Sequence, residues 1–190
     1  MHPDLSLKVW YRDFGKSLSF EYVYDYEWDI LTLDSLEKLY PKIEPNTLYF
    51  SAVKKLTPEV KEKWDWTSKE PYKSNYIKFI TYMKKTFGEG VYNTAVLGPA
   101  PLLHRSFIER FSQVEDIDWV LNEISYPAYA EAFGYSIKDN GFHPGWFTSD
   151  ARTYFNCHND APIAKETIVT ELSKPNGRRV FHPVKYMVNL

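Results

Sequence analysis

The hydrophobic and polar positions of this 190-residue chain change period several times, and each change marks an element. Between Asp4 and Phe14, the residues Leu5, Val9, Trp10 and Tyr11 recur at roughly helical spacing, and Gly15 supplies a stop. The next stretch, FEYVYDYEWDIL (residues 20–31), switches to a period of two and predicts a strand. Its even positions are Phe20, Tyr22, Tyr24, Tyr26, Trp28 and Ile30; its odd positions run Glu21, Val23, Asp25, Glu27 and Asp29. TLDSLEKLYP then predicts a short helix capped by Thr32 or Asp34 and stopped near Pro41, and NTLYFSAV a strand.

From Lys54 to Lys73 the periodicity dissolves into KKLTPEVKEKWDWTSKEPYK, which is long and polar. It is expected to form a mobile loop over 54–73 with Trp64 and Trp66 at its tip. Ser74 caps a helix through Phe87, where Ile77, Ile80, Tyr82 and Met83 repeat at helical intervals before Gly88. VYNTAVLG reads as a strand and LLHRSFIERF as a helix. In DIDWVLNEISYPAYAEAFG, Ile117, Val120, Leu121 and Ile124 share a helical face, and Pro127 is expected to kink or restart the helix. GFHPGWF is a glycine-proline turn, followed by TYFNCHND, a helix near Ala164 to Leu172 and a last strand around RRVFH. Strands alternating with helices predict one domain over residues 1–190, of the α/β or α+β type, with a mixed β-sheet flanked by helices.

Composition changes the picture in three ways. A net charge of −2 gives no basic field to recruit nucleic acid or an acidic membrane. A single cysteine, Cys157, excludes an intrachain disulfide and a zinc site built on several thiolates. The aromatic residues, 6 Trp, 15 Tyr and 12 Phe, exceed what a core needs and suit surfaces that stack on flat or apolar ligand faces such as sugar rings. No apolar run approaches a bilayer span, and MHPDLSLKVW lacks a signal pattern, so a soluble, cytoplasmic protein is the default expectation.

The acids of residues 20–31 carry the first candidate chemistry. On a strand, Asp25, Glu27 and Asp29 share one side, roughly 6–7 Å apart, while the aromatic side packs on the core. Like charges in file repel, and acids are poor strand formers. A hard divalent cation such as Mg²⁺ or Mn²⁺ would offset that. An acidic outer face that deters edge-to-edge aggregation accounts for the same pattern.

The run HPDLSLKVWYRDFGKSLSFEYVYDYEWDIL resembles a segment of GT-A-type nucleotide-sugar glycosyltransferases, in which a helix precedes an aromatic strand ending in an acidic D/E-x-D motif. The resemblance implies a GT-A-like fold in which Glu27 and Asp29 bind Mn²⁺ or Mg²⁺ and, through it, the diphosphate of a nucleotide-sugar donor. Asp25 is then a supporting or structural residue. NTAVLGPAPLLHRSFIERF is similar to the strand and helix lining the acceptor side, and DWVLNEISYPAYAEAFGY to the acidic helix that supplies the catalytic base. The matching position is Glu123, with Ile124 where the family usually has Asp. Such a base would take the proton of the attacking acceptor hydroxyl; a solvated helix face is the alternative.

The family often adds a C-terminal histidine to the metal. His182 in RRVFHPV and His158 in FNCHND stand at that position, and His182 is preferred because a strand would deliver it to a fixed place. Cys157 and His158 do not make a Cys–His nucleophile, since neighbours on a strand point to opposite faces. Arg178 and Arg179 are candidate diphosphate contacts, or surface charge; Trp64, Trp66 and Trp146 are candidate sugar-stacking surfaces. The resemblance begins one helix before the acidic motif, without the strands and helices that bind the nucleotide base in the family. The expectation is therefore a metal-dependent glycosyltransferase, or its acceptor-side half, acting on a glycan or other hydroxyl acceptor. A non-catalytic carbohydrate-binding or scaffold domain, and a metal-dependent phosphate or phosphodiester hydrolase, are the alternatives.

Overall fold

The computed structural model describes residues 3–90, 92–143, 145–147, 151–157 and 161–187. The chain opens with helix α1 (Pro3–Asp13), then the short strands β1 (Tyr22–Tyr24) and β2 (Leu31–Thr32) and helix α2 (Leu36–Leu39). The long strand β3 (Thr47–Lys55) leads into helices α3 (Pro58–Lys63), α4 (Asp65–Ser68) and α5 (Tyr72–Phe87). The equally long β4 (Thr94–His104) runs into α6 (Arg105–Ser112) and α7 (Asn122–Phe133), followed by β5 (Ser136–Asp139). Helices α8 (Ala151–Tyr154) and α9 (Lys165–Leu172) precede the last strand, β6 (Val180–Phe181).

A mixed four-stranded sheet in the order β1-β4-β3-β5 forms the centre, with β5 parallel to β3 and the other pairs antiparallel. Successive residues of a strand point to opposite faces, and here they feed two cores. Leu48, Phe50 and Leu103 join α1, α5, α6 and α7 through Leu7, Phe79, Phe107 and Tyr129. Tyr49 and Leu102 point the other way, to Ile30, Phe142, Phe155 and Val180. The second face is therefore covered by the two-stranded β2–β6 sheet and its flanking segments, where Phe181 packs with Ile163 and Ile168. Among the described residues, no helix is long and apolar enough to cross a membrane.

One irregularity of the sheet matters for function. Tyr49 pairs with Leu102 but Ser51 with Leu97, so residues 98–101 (GPAP) bulge out of the ladder. Ala100 takes a left-handed φ of 66° there. The bulge is held by Ser51 Oγ donating to the Pro99 carbonyl, Asn140 Nδ2 to that of Ala100, and the Asp25 N–H to that of Pro101. The Gly98 N–H is left pointing away from the ladder, toward α7.

Several sequence expectations change. The strand expected over residues 20–31 breaks after Tyr24, and a turn closed by Ile30 N–H on the Glu27 carbonyl intervenes before β2. The alternation of faces is lost across the break: Tyr26 and Trp28 lie 57% and 81% exposed, while Asp29 and Ile30 are both buried. A turn does not hold successive side chains on opposite faces as a strand does. The loop expected over 54–73 is largely helical: Thr57 accepts the Val60 N–H as N-cap, with Pro58 in the first turn of α3. Ile117 to Leu121 stay outside α7, which instead carries Pro127 in its interior. The β5 strand has no counterpart in the sequence reading.

Candidate metal centre

β2 and β6 pair antiparallel, Leu31 opposite Phe181 and Thr32 opposite Val180. Backbone bonds continue on both sides, from Leu33 N–H to the Arg179 carbonyl and from Val184 N–H to the Asp29 carbonyl, 2.7 Å. This register puts Asp29, just before β2, beside His182, just after β6. His182 is gripped from its other side: its N–H donates to Tyr154, its carbonyl accepts from Asn156, and its ring lies 5.4 Å from that of Phe155. The turn that closes on Glu27 brings a second carboxylate to the same imidazole.

The geometry is tight. His182 Nε2 lies 3.4 Å from Glu27 Oε2 and 3.4 Å from Asp29 Oδ1, and all three ligand atoms fall within 4.8 Å of one another. The side chains of His182 and Asp29 are 1% and 4% exposed, and that of Glu27 is 42% exposed. Both ring nitrogens of His182 and Oδ1 of Asp29 are buried without a hydrogen-bond partner. Leaving such groups unsatisfied costs about 1–3 kcal/mol each. Ligand atoms about 3.4 Å apart suit an ion whose bonds are about 2.0–2.2 Å long. The donors fit a divalent ion: two carboxylate oxygens and an imidazole, one face open on the Glu27 side.

Glu123 stands in the first turn of α7, where the GPAP bulge meets it. Its Oε1 accepts the Gly98 N–H at 2.9 Å. Burial pushes its carboxyl up to about 7; the Gly98 N–H and the neighbouring Trp66 side chain oppose that rise, and the charge of Glu27 adds to it. A carboxyl poised near neutrality is suited to proton transfer. The Cys157 thiol is driven well up by burial and by the charges of Glu123 and Glu27. Asp25 lies outside the ligand set: its Oδ2 accepts from Tyr126 Oη of α7 at 3.3 Å, and burial raises its carboxyl.

Of the residues expected at the site, the structure brings Glu27, Asp29 and His182 together, and Glu123 lies within reach of the charge of Glu27. The alternative histidine, His158, lies outside the described residues. Trp64 and Trp146 are corrected: each is 8% exposed, they pack edge to face at 4.9 Å, and Trp146 Nε1 donates to the Ala52 carbonyl. They are core residues, because the helices formed by residues 58–68 fold onto the sheet. Trp66, half-buried, packs at 4.5 Å against Tyr72. Arg179 is corrected as a diphosphate contact: its guanidinium donates to the carbonyls of Glu171, Lys174, Gly177 and Arg178. Arg178 donates to the Phe142 carbonyl and stacks on Tyr154.

Sequence reasoning missed the Gly98 amide and the Trp66 link to Glu123. GPAP, a glycine between strand residues followed by two prolines, was the available signal for a bulge. No protein-family model, curated protein or solved structure matches this chain, so the chemistry of the site is carried by its own residues.

Proposed function

We propose that this chain is a metal-dependent glycosyltransferase, or the acceptor-side half of one, that moves a sugar from a nucleotide-sugar to a hydroxyl acceptor. One observation carries the reading: three metal-ligating atoms gather around one point, two of them (Asp29 Oδ1 and His182 Nε2) buried without hydrogen-bonded partners, and a carboxyl poised near neutrality lies within electrostatic reach. Glu27, Asp29 and His182 would hold the ion, and the imidazole favours Mn²⁺ over Mg²⁺. When bound, such an ion supplies positive charge against the departing diphosphate.

Glu123 serves as the base. Its carboxylate, aimed by the Gly98 N–H, takes the proton of the acceptor hydroxyl while that oxygen attacks the anomeric carbon. The new C–O bond forms as the bond to the diphosphate breaks, and the proton ends on Glu123. The deeply placed Asp29 and His182 keep the ligand set rigid; the more open Glu27 lies on the side from which a donor reaches it.

The test is thermal unfolding with Mn²⁺, with and without nucleoside diphosphates, for the wild type and Asp29→Asn. Saturating Mn²⁺ at about 100 times its Kd stabilises by about 2.7 kcal/mol, and Asp29→Asn loses that gain. A wild-type protein indifferent to Mn²⁺ in both conditions overturns the reading.

A further inference from the structure

A cleft next to Glu123 has chemistry that the metal centre does not use. It encloses about 300 Å³ and is lined by Trp66, Tyr72, Asn75, Asp118 and Trp119, with Leu121 and Ile124 at its base. That volume stands at the small end of small-molecule sites and suits one or two sugar rings. We propose that this cleft binds a neutral saccharide and is the acceptor subsite; its role as acceptor subsite rests on the glycosyltransferase reading, its sugar binding does not.

Three observations converge on it. The first is continuity with the base: Leu121 and Ile124 flank Glu123 in the chain, and Trp66, which lines the cleft, is close enough to the Glu123 carboxylate to favour its charged form. A ring seated there touches a neighbour of the base. The second is the lining. Three aromatic rings offer apolar surface to the C–H faces of a pyranose, while the Asn75 amide and Asp118 carboxylate offer partners for its hydroxyls. The rings are already held in place, Trp66 against Tyr72 at 80° and Trp119 beneath the Lys78 ammonium, 3.6 Å from the ring centroid. The third is charge: Asp118 is exposed in the lining and the Lys78 ammonium over Trp119 balances it, so the cleft offers no net positive charge to select an anionic sugar over a neutral one.

The experiment titrates the full chain with methyl glucopyranoside, methyl galactopyranoside, cellobiose and lactose, followed by ligand-observed NMR, with glucuronate as the anionic comparison. Mn²⁺ binding is measured in parallel on every protein. At least one neutral probe should bind saturably and more tightly than glucuronate. Tyr72→Ala and Asp118→Asn, both at exposed positions, should each weaken it about tenfold, or about 1.4 kcal/mol, without altering Mn²⁺ affinity. If no neutral probe binds, or if both variants bind it as the wild type does, the cleft is not a saccharide site, whatever Mn²⁺ does. Sugar binding in a protein that ignores Mn²⁺ keeps the cleft and removes the transferase reading.

Discussion

The backbone N–H of Gly98 donates to Oε1 of Glu123 across 2.9 Å, and Gly98 is the first residue of the GPAP bulge in β4. The bulge thus aims a carboxylate whose burial raises it to about 7. Glu123→Gln should abolish transfer while leaving Mn²⁺ binding intact. It should also change stability in a defined direction. Between the unfolded value, near 4.3, and about 7, the folded state binds the extra proton, so the wild type loses stability as pH rises through this window. Glu123→Gln should therefore be more stable than wild type at pH 8, by of order 1–3 kcal/mol, and equal to it at pH 4. Equal melting at pH 8 would count against the raised carboxyl.

Trp66 opposes that rise. Trp66→Phe keeps an aromatic ring and removes the indole N–H. The acid limb of the rate–pH profile should then move to higher pH, because the charged form of Glu123 has lost a polar neighbour. A profile superimposable on wild type would count against a role of the indole in setting the Glu123 carboxyl.

Asp29 and His182 differ from Glu27 in depth, and the difference should be measurable. Asp29→Asn and His182→Ala should each cost more Mn²⁺ affinity than Glu27→Gln, since the exposed carboxylate can be replaced by water. Without metal, Asp29→Asn should be more stable than wild type, by about 1–3 kcal/mol, because a buried oxygen without a partner carries less charge. Lower stability of the metal-free variant would show that the Asp29 carboxylate has a partner in the metal-free fold.

Arg179 should behave as a structural residue. Its guanidinium binds four carbonyls around the C-terminal end of α9, where Glu171 also accepts the Arg178 N–H. Arg179→Ala should lower the denaturation midpoint, by about 1–3 kcal/mol, and leave donor KM unchanged at a temperature where the variant is folded. A rise in KM without loss of stability would restore the diphosphate role.

Trp64 and Trp146 should also report on the core alone. Truncating either to alanine removes a buried edge-to-face pair and should cost about 3–5 kcal/mol. Urea unfolding checks this. Saccharide binding should survive in whatever folded fraction remains.

Local patterns along the chain were enough for α1, α5 and α9, whose apolar spacing and stop residues need no distant partner. The pair Glu27-x-Asp29 and the strand delivering His182 were also legible, since residue type and spacing are local facts. Which side of residues 25–29 turns inward was not. A period of two states that two faces exist, and the neighbours decide which is buried; the neighbour of Asp29 is His182, brought there by β2–β6 pairing across nearly the whole sequence. The same reason governs the tryptophans. Trp64 and Trp66 differ by two positions in one polar segment, yet one is buried in the core and the other reaches Glu123. Burial is a property of what packs against a side chain, so the sequence alone determined which residues could ligate, donate and stack, and only the tertiary structure decided which of them meet.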